Sequence, residues 1–429
     1  MLRIAIATLG SQGDVQPFVA LGLGLKAAGH EVRVATGVDF ELLIRERGLE
    51  FAPIGGNIRA MLSTREGHQF IKSKNPITTV RRMRQVSTEL IQTMQEDILK
   101  ALAGADAAVF SYLSGPVIDV AEKTGLPCFL GLLQPLLRTG EFPHLAVSLR
   151  NLGRPLNRLT YDFFQLLMWA FFGNIGNRWR RERLGLPPVP RVRRIEKLRI
   201  PVLAAFSQRA VPKPLDWPEH AWVTGYWFME ANNDWRPSAG LADFLAAGPP
   251  PVCIGFGSMV DNEMDRMTEL VKKSLARAGL RGILVGGWGA LGKAERRDHT
   301  LCCLDSVPYD WLLPRVAAVV HHGGAGTIAA SLRAGIPSVV IPFFSDQPFW
   351  ARRIHMLGVG PRPIPRNRLT VKRLASALRV AVEDEGLRKR AAELGRAIRE
   401  EDGVAQAVKI IHRHFGMKHG ERGAVPLHD

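Results

Sequence analysis

The sequence predicts an α/β protein with two similar halves, each a parallel sheet covered by helices. Three observations carry this expectation. Short apolar runs alternate with helical stretches along most of the chain. The alternation breaks in a stretch rich in proline and tryptophan after Val211, then restarts. The segment VAAVVHHGGAGTIAASLRAGIPSVVIPFFSDQ, residues 316–347, reads in order as strand, glycine loop, helix, strand and polar turn. Strands that alternate with helices imply a parallel sheet buried on both faces.

In the first half, Arg3–Leu9 is an apolar strand. A glycine-bearing loop follows, then a helix from about Pro17 to Ala28. Glu31–Ala35, Ala107–Phe110, Pro127–Leu130 and Val202–Phe206 read as further strands with helical stretches between them. In the second half Val252–Phe256, Gly282–Val285 and Val316–Val320 are strands, and Glu263–Ala278, Val371–Val382 and Gly386–Arg399 are helices. The expected organisation is a first domain at 1–212, a linker at 213–240, a second domain at 241–400, and a C-terminal helix and tail at 401–429. Two such halves would face each other across a cleft. Ligands of open α/β sheets lie at the carboxyl ends of the strands.

A length of 429 residues allows two or three domains, and 46% hydrophobic with 23% charged residues fits a soluble globular protein. No apolar run approaches the ~18 residues that span a bilayer, and Phe163–Phe172 is too short. MLRIAIATLGSQGD reads as a first strand rather than a signal peptide. Cys128, Cys253, Cys302 and Cys303 lack the spacing of a zinc site or disulfide framework, which fits a cytoplasmic protein. The net charge of +17 favours anionic partners such as nucleotide phosphates, nucleic acid or acidic lipid, although arginine on any solvated face reads the same way.

The most informative loop is His321-His322-Gly323-Gly324-Ala325-Gly326-Thr327, between a strand and a helix expected at Ile328–Ala334. Free N–H groups and the helix dipole at such a point hold anions. Two histidines and Thr327 add side-chain donors, and Ser345-Asp346-Gln347 is a second polar cluster one strand on. No third ligand stands at metal-site spacing beside the histidines. Gly324-Ala325-Gly326-Thr327-Ile328-Ala329, with Asp346 about 20 residues on, also imitates a dinucleotide fingerprint. In the first loop, Gly10-Ser11-Gln12-Gly13-Asp14, the acid reads either as a helix N-cap or as a carboxylate held for general-base work. Gly255-Phe256-Gly257-Ser258-Met259 follows the first strand of the second half and adds Ser258 at the same kind of position. Leu156–Arg183 mixes aromatic and aliphatic residues with a basic end, and reads either as a core helix or as an amphipathic helix on a membrane.

LGSQGDVQPFVALGLGLKAAGHEVRVAT, VPKPLDWPEHAWVTGYWF, IGFGSM and VPYDWLLPRVAAVVHHGGAGTIAASLRAGIPSVVIPFFSDQPFWARRIHMLGVGP together resemble the nucleotide-sugar-dependent glycosyltransferases of GT-B architecture. The likeness spans about residues 3–400 and is nearest to sterol 3-beta-glucosyltransferases and their bacterial relatives that glycosylate antibiotic aglycones. Sterol-type members read GSRGDVQP where this chain has Gln12. The resemblance implies two Rossmann-like parallel-sheet domains facing a cleft. It implies that His322, Gly324, Gly326 and Thr327 hold the donor diphosphate with Ser258 assisting. Ser306 and Val307 would lie against the base, Asp346 and Gln347 would bind the sugar hydroxyls, and Asp14 would be the general base.

The expected activity is an inverting transfer of a hexose from a nucleotide sugar to a hydroxyl of a lipophilic acceptor, with glucose from UDP-glucose and a sterol-like acceptor as the first reading. A dTDP-deoxysugar or UDP-sugar transferred to a polyketide aglycone is the alternative. More remote readings are an NAD(P) oxidoreductase and a non-catalytic protein that binds anionic lipid. No cofactor or metal is expected, and the sequence has no Asp-x-Asp motif. The expected partners are the nucleotide sugar, the acceptor and an anionic membrane surface, with no nucleic acid.

Overall fold

The computed structural model describes residues 1–55, 76–146, 151–189, 199–229, 235–256, 264–286, 296–297, 299–343 and 345–420. The chain forms two compact units. One comprises Met1–Ala205, Lys213–Met229 and Gly403–Asp429, and the other Phe206–Pro212 and Glu230–Asp402.

The strands of the first unit are β1 (Arg3–Ala7), β2 (Glu31–Thr36), β3 (Glu50–Pro53), β4 (Ala107–Ser111), β5 (Cys128–Leu132), β6 (Val202–Ala204) and β7 (Ala221–Val223). They form one sheet in the order β3-β2-β1-β4-β5-β6-β7, and every pairing is parallel. Sequence order reverses between β1 and β4. Ile4, Ile6, Val34, Val109 and Phe129 are fully buried, as expected of strands with helices on both faces. The helix Gln12–Ala27 covers this core with Phe18, Leu21 and Leu25. The C-terminal helix Gly403–Gly420 adds Ala407 and Ile411, which places the end of the chain with its beginning.

Part of the stretch expected to be a linker is core. β7 pairs with β6, register Val202↔Ala221, and Trp217 and Trp227 are buried. Trp227 packs edge-on against Phe18 at 5.4 Å, and its indole N–H donates to Thr224 Oγ1 at 3.0 Å. The tryptophans Trp217 and Trp227 of this stretch are packing residues, and Trp227 also has its polar end satisfied.

The strands of the second unit are β8 (Val252–Gly255), β9 (Gly282–Val285), β10 (Arg296–Arg297), β11 (Leu301–Leu304), β12 (Ala318–His321) and β13 (Ser338–Val340). Their order is β10-β11-β9-β8-β12-β13, parallel except for the edge strand β10. The order reverses between β8 and β12. Val252, Ile254, Val320, Val339 and Ile341 meet Leu374 and Leu378 of the helix Val371–Glu383 in one core. The helix Ala325–Ala334 ends at Gly335, where the helix Glu385–Arg399 crosses it backbone to backbone. A Cβ at Gly395 would stand 2.4 Å from Gly335 Cα and 2.8 Å from the Leu332 carbonyl. Gly395→Ala therefore lowers stability by about 1–3 kcal/mol through overpacking, read as a lower denaturant midpoint. An unchanged midpoint would show that the crossing has room to spread.

Candidate active site

The loop after β12 lies where the strand order of the second unit reverses, the usual ligand position in an open α/β sheet. His321 pairs in register with Gly255 on one side and Val340 on the other. The following helix starts at Ala325, three residues earlier than the sequence reading, because Gly324 is its N-cap. The first intrahelical bond runs from Ile328 N–H to Gly324 O at 3.0 Å. The N–H groups of Ala325, Gly326 and Thr327 therefore stand at the open end of the helix with no side chain capping them.

The two histidines have different jobs. His321 is fully buried, and its Nδ1 accepts from Gly323 N–H at 3.1 Å, closing the turn. His322 is half-buried, and its Nε2 overlies the helix start: a Cβ at Gly324 would come within 2.5 Å of it. Burial pushes His322 down to about 4, and burial together with His322 pushes His321 down to about 3. Both imidazoles are neutral at pH 7. His321 Nε2 and His322 Nδ1 are buried without a hydrogen-bond partner among the described residues. Unpaired buried nitrogens beside an uncapped helix end are hydrogen-bonding capacity suited to a polar ligand.

Asp346 and Gln347 adjoin this loop. Gly323 has φ +94°, and a Cβ there would stand 2.8 Å from Val340 Cγ1 and 3.2 Å from the Gln347 carbonyl oxygen. Only glycine lets this loop and the polar turn pack so closely. Gln347 is 6% exposed, and its Oε1 accepts from Phe343 N–H at 2.8 Å. Asp346 stands at the N-cap position of the helix Gln347–Met356, and its Oδ2 accepts from the indole N–H of buried Trp350 at 3.1 Å. Trp350 and Phe343 thus hold the two polar side chains, a support the sequence reading missed.

Ser306 and Val307 follow β11, at the same carboxyl edge of the sheet. Ser306 is exposed, and Val307 packs on the core. Three strand spacings separate β11 from β12, roughly 14 Å. That is the order of length of a nucleoside diphosphate laid across the sheet edge. Ser258 lies outside the described residues. Among those described, no group of three or more His, Cys, Asp or Glu side chains is arranged to hold a metal ion.

Asp14 occupies the reversal point of the other sheet, in the first turn of the helix after β1. That helix starts at Gln12 rather than near Pro17, and Ser11 is its N-cap, so Asp14 is the third helical residue and not the cap. The Ser11 backbone N–H and hydroxyl both donate to Asp14 Oδ2, at 2.8 and 2.9 Å. Among the described residues Oδ1 accepts no hydrogen bond. Gly10, at φ +133°, wraps the carboxylate so closely that a Cβ there would meet Oδ2 at 2.4 Å. Burial raises the Asp14 pKa above the ordinary aspartate range, against the lowering pull of the two Ser11 bonds. A carboxylate with one oxygen tethered and its ionised form destabilised is suited to taking up a proton. Ser11 was the residue to find: a Ser-x-x-Asp spacing at a helix start is the signal.

Residues 4–132 match the glycosyltransferase family 28 N-terminal domain, and residues 299–409 match the erythromycin biosynthesis protein CIII-like C-terminal domain. A sterol 3-beta-glucosyltransferase of Arabidopsis thaliana is 36% identical over 422 residues, covering 96% of this chain and 66% of that protein. One of Emericella nidulans is 36% identical over 430 residues, covering 96% of this chain and 30% of its own length. The chain thus spans just under two thirds of the plant relative and under a third of the fungal one. The solved glycotransferase of kitacinnamycin superposes with a TM-score of 0.68 at 18% identity, covering 96% of this chain and 98% of that one. The glycosyltransferase SnogD from Streptomyces nogalater superposes at 0.62 with 20% identity, covering 96% and 99%. At such identities the likeness is one of fold, the two parallel-sheet α/β domains of GT-B glycosyltransferases.

The buried environment of His322 has a direct readout. In an NMR titration its imidazole carbon-bound proton shifts with a midpoint near about 4. A midpoint near the ordinary histidine value of about 6.5 would show the ring to be solvated and charged in weak acid.

Proposed function

We propose that this chain, which joins a family 28 N-terminal domain to an EryCIII-like C-terminal domain and is homologous to sterol 3-beta-glucosyltransferases over 96% of its length, is an inverting glycosyltransferase. It moves a hexose, glucose from UDP-glucose in the first instance, to a hydroxyl of a sterol-like or other lipophilic acceptor. The observation that carries the reading is the uncapped helix start at Ala325 beneath His322, at the reversal point of the second sheet.

In this reading the diphosphate sits on the N–H groups of Ala325, Gly326 and Thr327, with Gly324 giving the close approach, and takes donors from His322 and the Thr327 hydroxyl. Ser258 assists. The nucleoside runs along the sheet edge toward Ser306 and Val307, and the sugar lies toward Asp346 and Gln347. As the acceptor oxygen attacks the anomeric carbon, the bond from that carbon to the diphosphate oxygen breaks. The acceptor proton passes to Asp14. Negative charge grows on the departing diphosphate, where fixed N–H dipoles and a neutral imidazole donor stabilise it. The raised pKa of Asp14 strengthens it as a base toward an alcohol.

Isothermal titration of the protein with UDP tests the donor site: binding is expected, and His322→Ala weakens it by about 1.5–3 kcal/mol, the worth of a hydrogen bond to a charged group. Absence of UDP binding, or equal affinity in the variant, would remove His322 from the diphosphate. Asp14→Asn retains UDP affinity and lowers turnover by roughly 10²–10⁴-fold. Its unfolding temperature at pH 7 does not fall, because the environment that raises the Asp14 pKa penalises the charge the substitution removes. The sign is that of a raised carboxylate: stability is lost as the pH rises through the folded-state pKa. Near-normal turnover together with a lower unfolding temperature would leave Asp14 only a structural part in the helix start.

A further inference from the structure

The helix Arg154–Trp179 buries Asn157, Thr160, Tyr161, Ile175 and Trp179 against the first unit. Its opposite side is not the solvated face expected of a core helix. Leu156, Leu159, Phe163, Leu166, Leu167 and Phe171 are between 39% and 59% exposed. Steps of three and four residues from Leu156 through Phe163 to Phe171, with Leu166 beside Leu167, put all six on one side of the helix. A contiguous apolar stripe left in water marks a surface made for a partner. Two further turns along the same face stands Arg178, and Arg181 follows it; both are exposed. Of the other arginines here, Arg158 pairs with Asp216, Arg180 with Asp119 and Glu122, and Arg183 with Glu96, while Arg154 at the start of the helix is exposed. Among the described residues Arg178 and Arg181 form no ion pair.

We propose that this stripe is a docking surface for an anionic lipid bilayer, with the helix lying in the plane of the interface. Apolar residues enter the acyl boundary while the unpaired arginines meet lipid phosphates. The helix does not insert across the bilayer, because no helix among the described residues is long and apolar enough to cross one. At 26 residues it is about 39 Å long, so the stripe reaches many lipids at once. The exposed arginines along this face, on a chain with net charge +17, favour an acidic membrane over a second copy of the same basic chain. The inference does not depend on the proposed transfer reaction.

The full chain is sedimented with vesicles of phosphatidylcholine alone and of phosphatidylcholine with phosphatidylglycerol. Binding to the anionic vesicles is expected to exceed binding to the neutral ones and to fade as salt rises. Phe163→Ser with Leu167→Ser lowers anionic-vesicle binding by more than about tenfold, because two large apolar side chains are lost from the interface. Arg178→Ala with Arg181→Ala lowers it by about fivefold per arginine and flattens the salt dependence. Each side chain is exposed, so the denaturant midpoint and the UDP titration stay at the parent values. Equal, salt-insensitive binding to both vesicle types overturns the proposal, as does a serine variant that binds like the parent. So does a dimer that the serine variant dissolves while neither protein binds vesicles, which would assign the stripe to a second copy. A raised acceptor KM with unaltered vesicle binding would assign it to the acceptor and overturn the proposal equally.

Discussion

The pairing of β12 between β8 and β13 is the constraint on which the candidate donor site depends. It sets His321 opposite Gly255 and Val340, where the strand order reverses. A reversal leaves a gap between the crossover connections on either side, and backbone donors at the carboxyl ends of the strands face into it. From His321 onward each residue has a local physical reason. His321 Nδ1 closes the turn, Gly323 permits the contact with the Gln347 backbone, and Gly324 starts the helix without consuming its first N–H groups. The polar turn at Asp346 is held to the same loop by packing and by the indole of Trp350. The His322 loop and the Asp346 turn are therefore positioned together at one sheet edge.

The first sheet repeats the arrangement with opposite electrostatics. Its reversal point presents a carboxylate, Asp14, where the second presents neutral imidazoles and N–H dipoles. Burial works on both in the direction that favours the neutral form: it raises the aspartate and lowers the histidines. A group that is costly to ionise is a stronger base when it is a carboxylate, and a donor without a formal charge when it is an imidazole. The surrounding fold supplies that cost, since each site follows a strand whose last four residues, 4–7 and Ala318–His321, are buried.

The exposed stripe on the helix Arg154–Trp179 shows where burial stops explaining the sequence. Tyr161 and Trp179 of the same helix are core residues, while Phe163 and Phe171 are not, although all four are aromatic. Hydrophobicity alone reads the two sides alike. The difference is rotational: positions 157, 160 and 161 turn toward the first unit, and 156, 159 and 163 turn away from it.

The sequence by itself determined the alternation of strands and helices, and so the parallel sheets, because apolar runs bounded by glycine loops have few other ways to bury their backbone. It also determined the turn at the His322 loop, since a glycine-rich strand-to-helix turn is specified by local conformational preference. It did not show that 213–229 belongs to the first core, because tryptophan and proline there read as interruption until β7 paired with β6 and Trp227 met Phe18. It left Asp14 between cap and base, and the structure removed the cap position, because the helix begins at Gln12 with Ser11 as its N-cap. The depression of the histidine pKa values, the support of Asp346 by Trp350 and the outward turn of the Leu156–Phe171 stripe were decided by tertiary structure alone. Each depends on which atoms distant in sequence come within a few ångströms, and no local pattern carries that information.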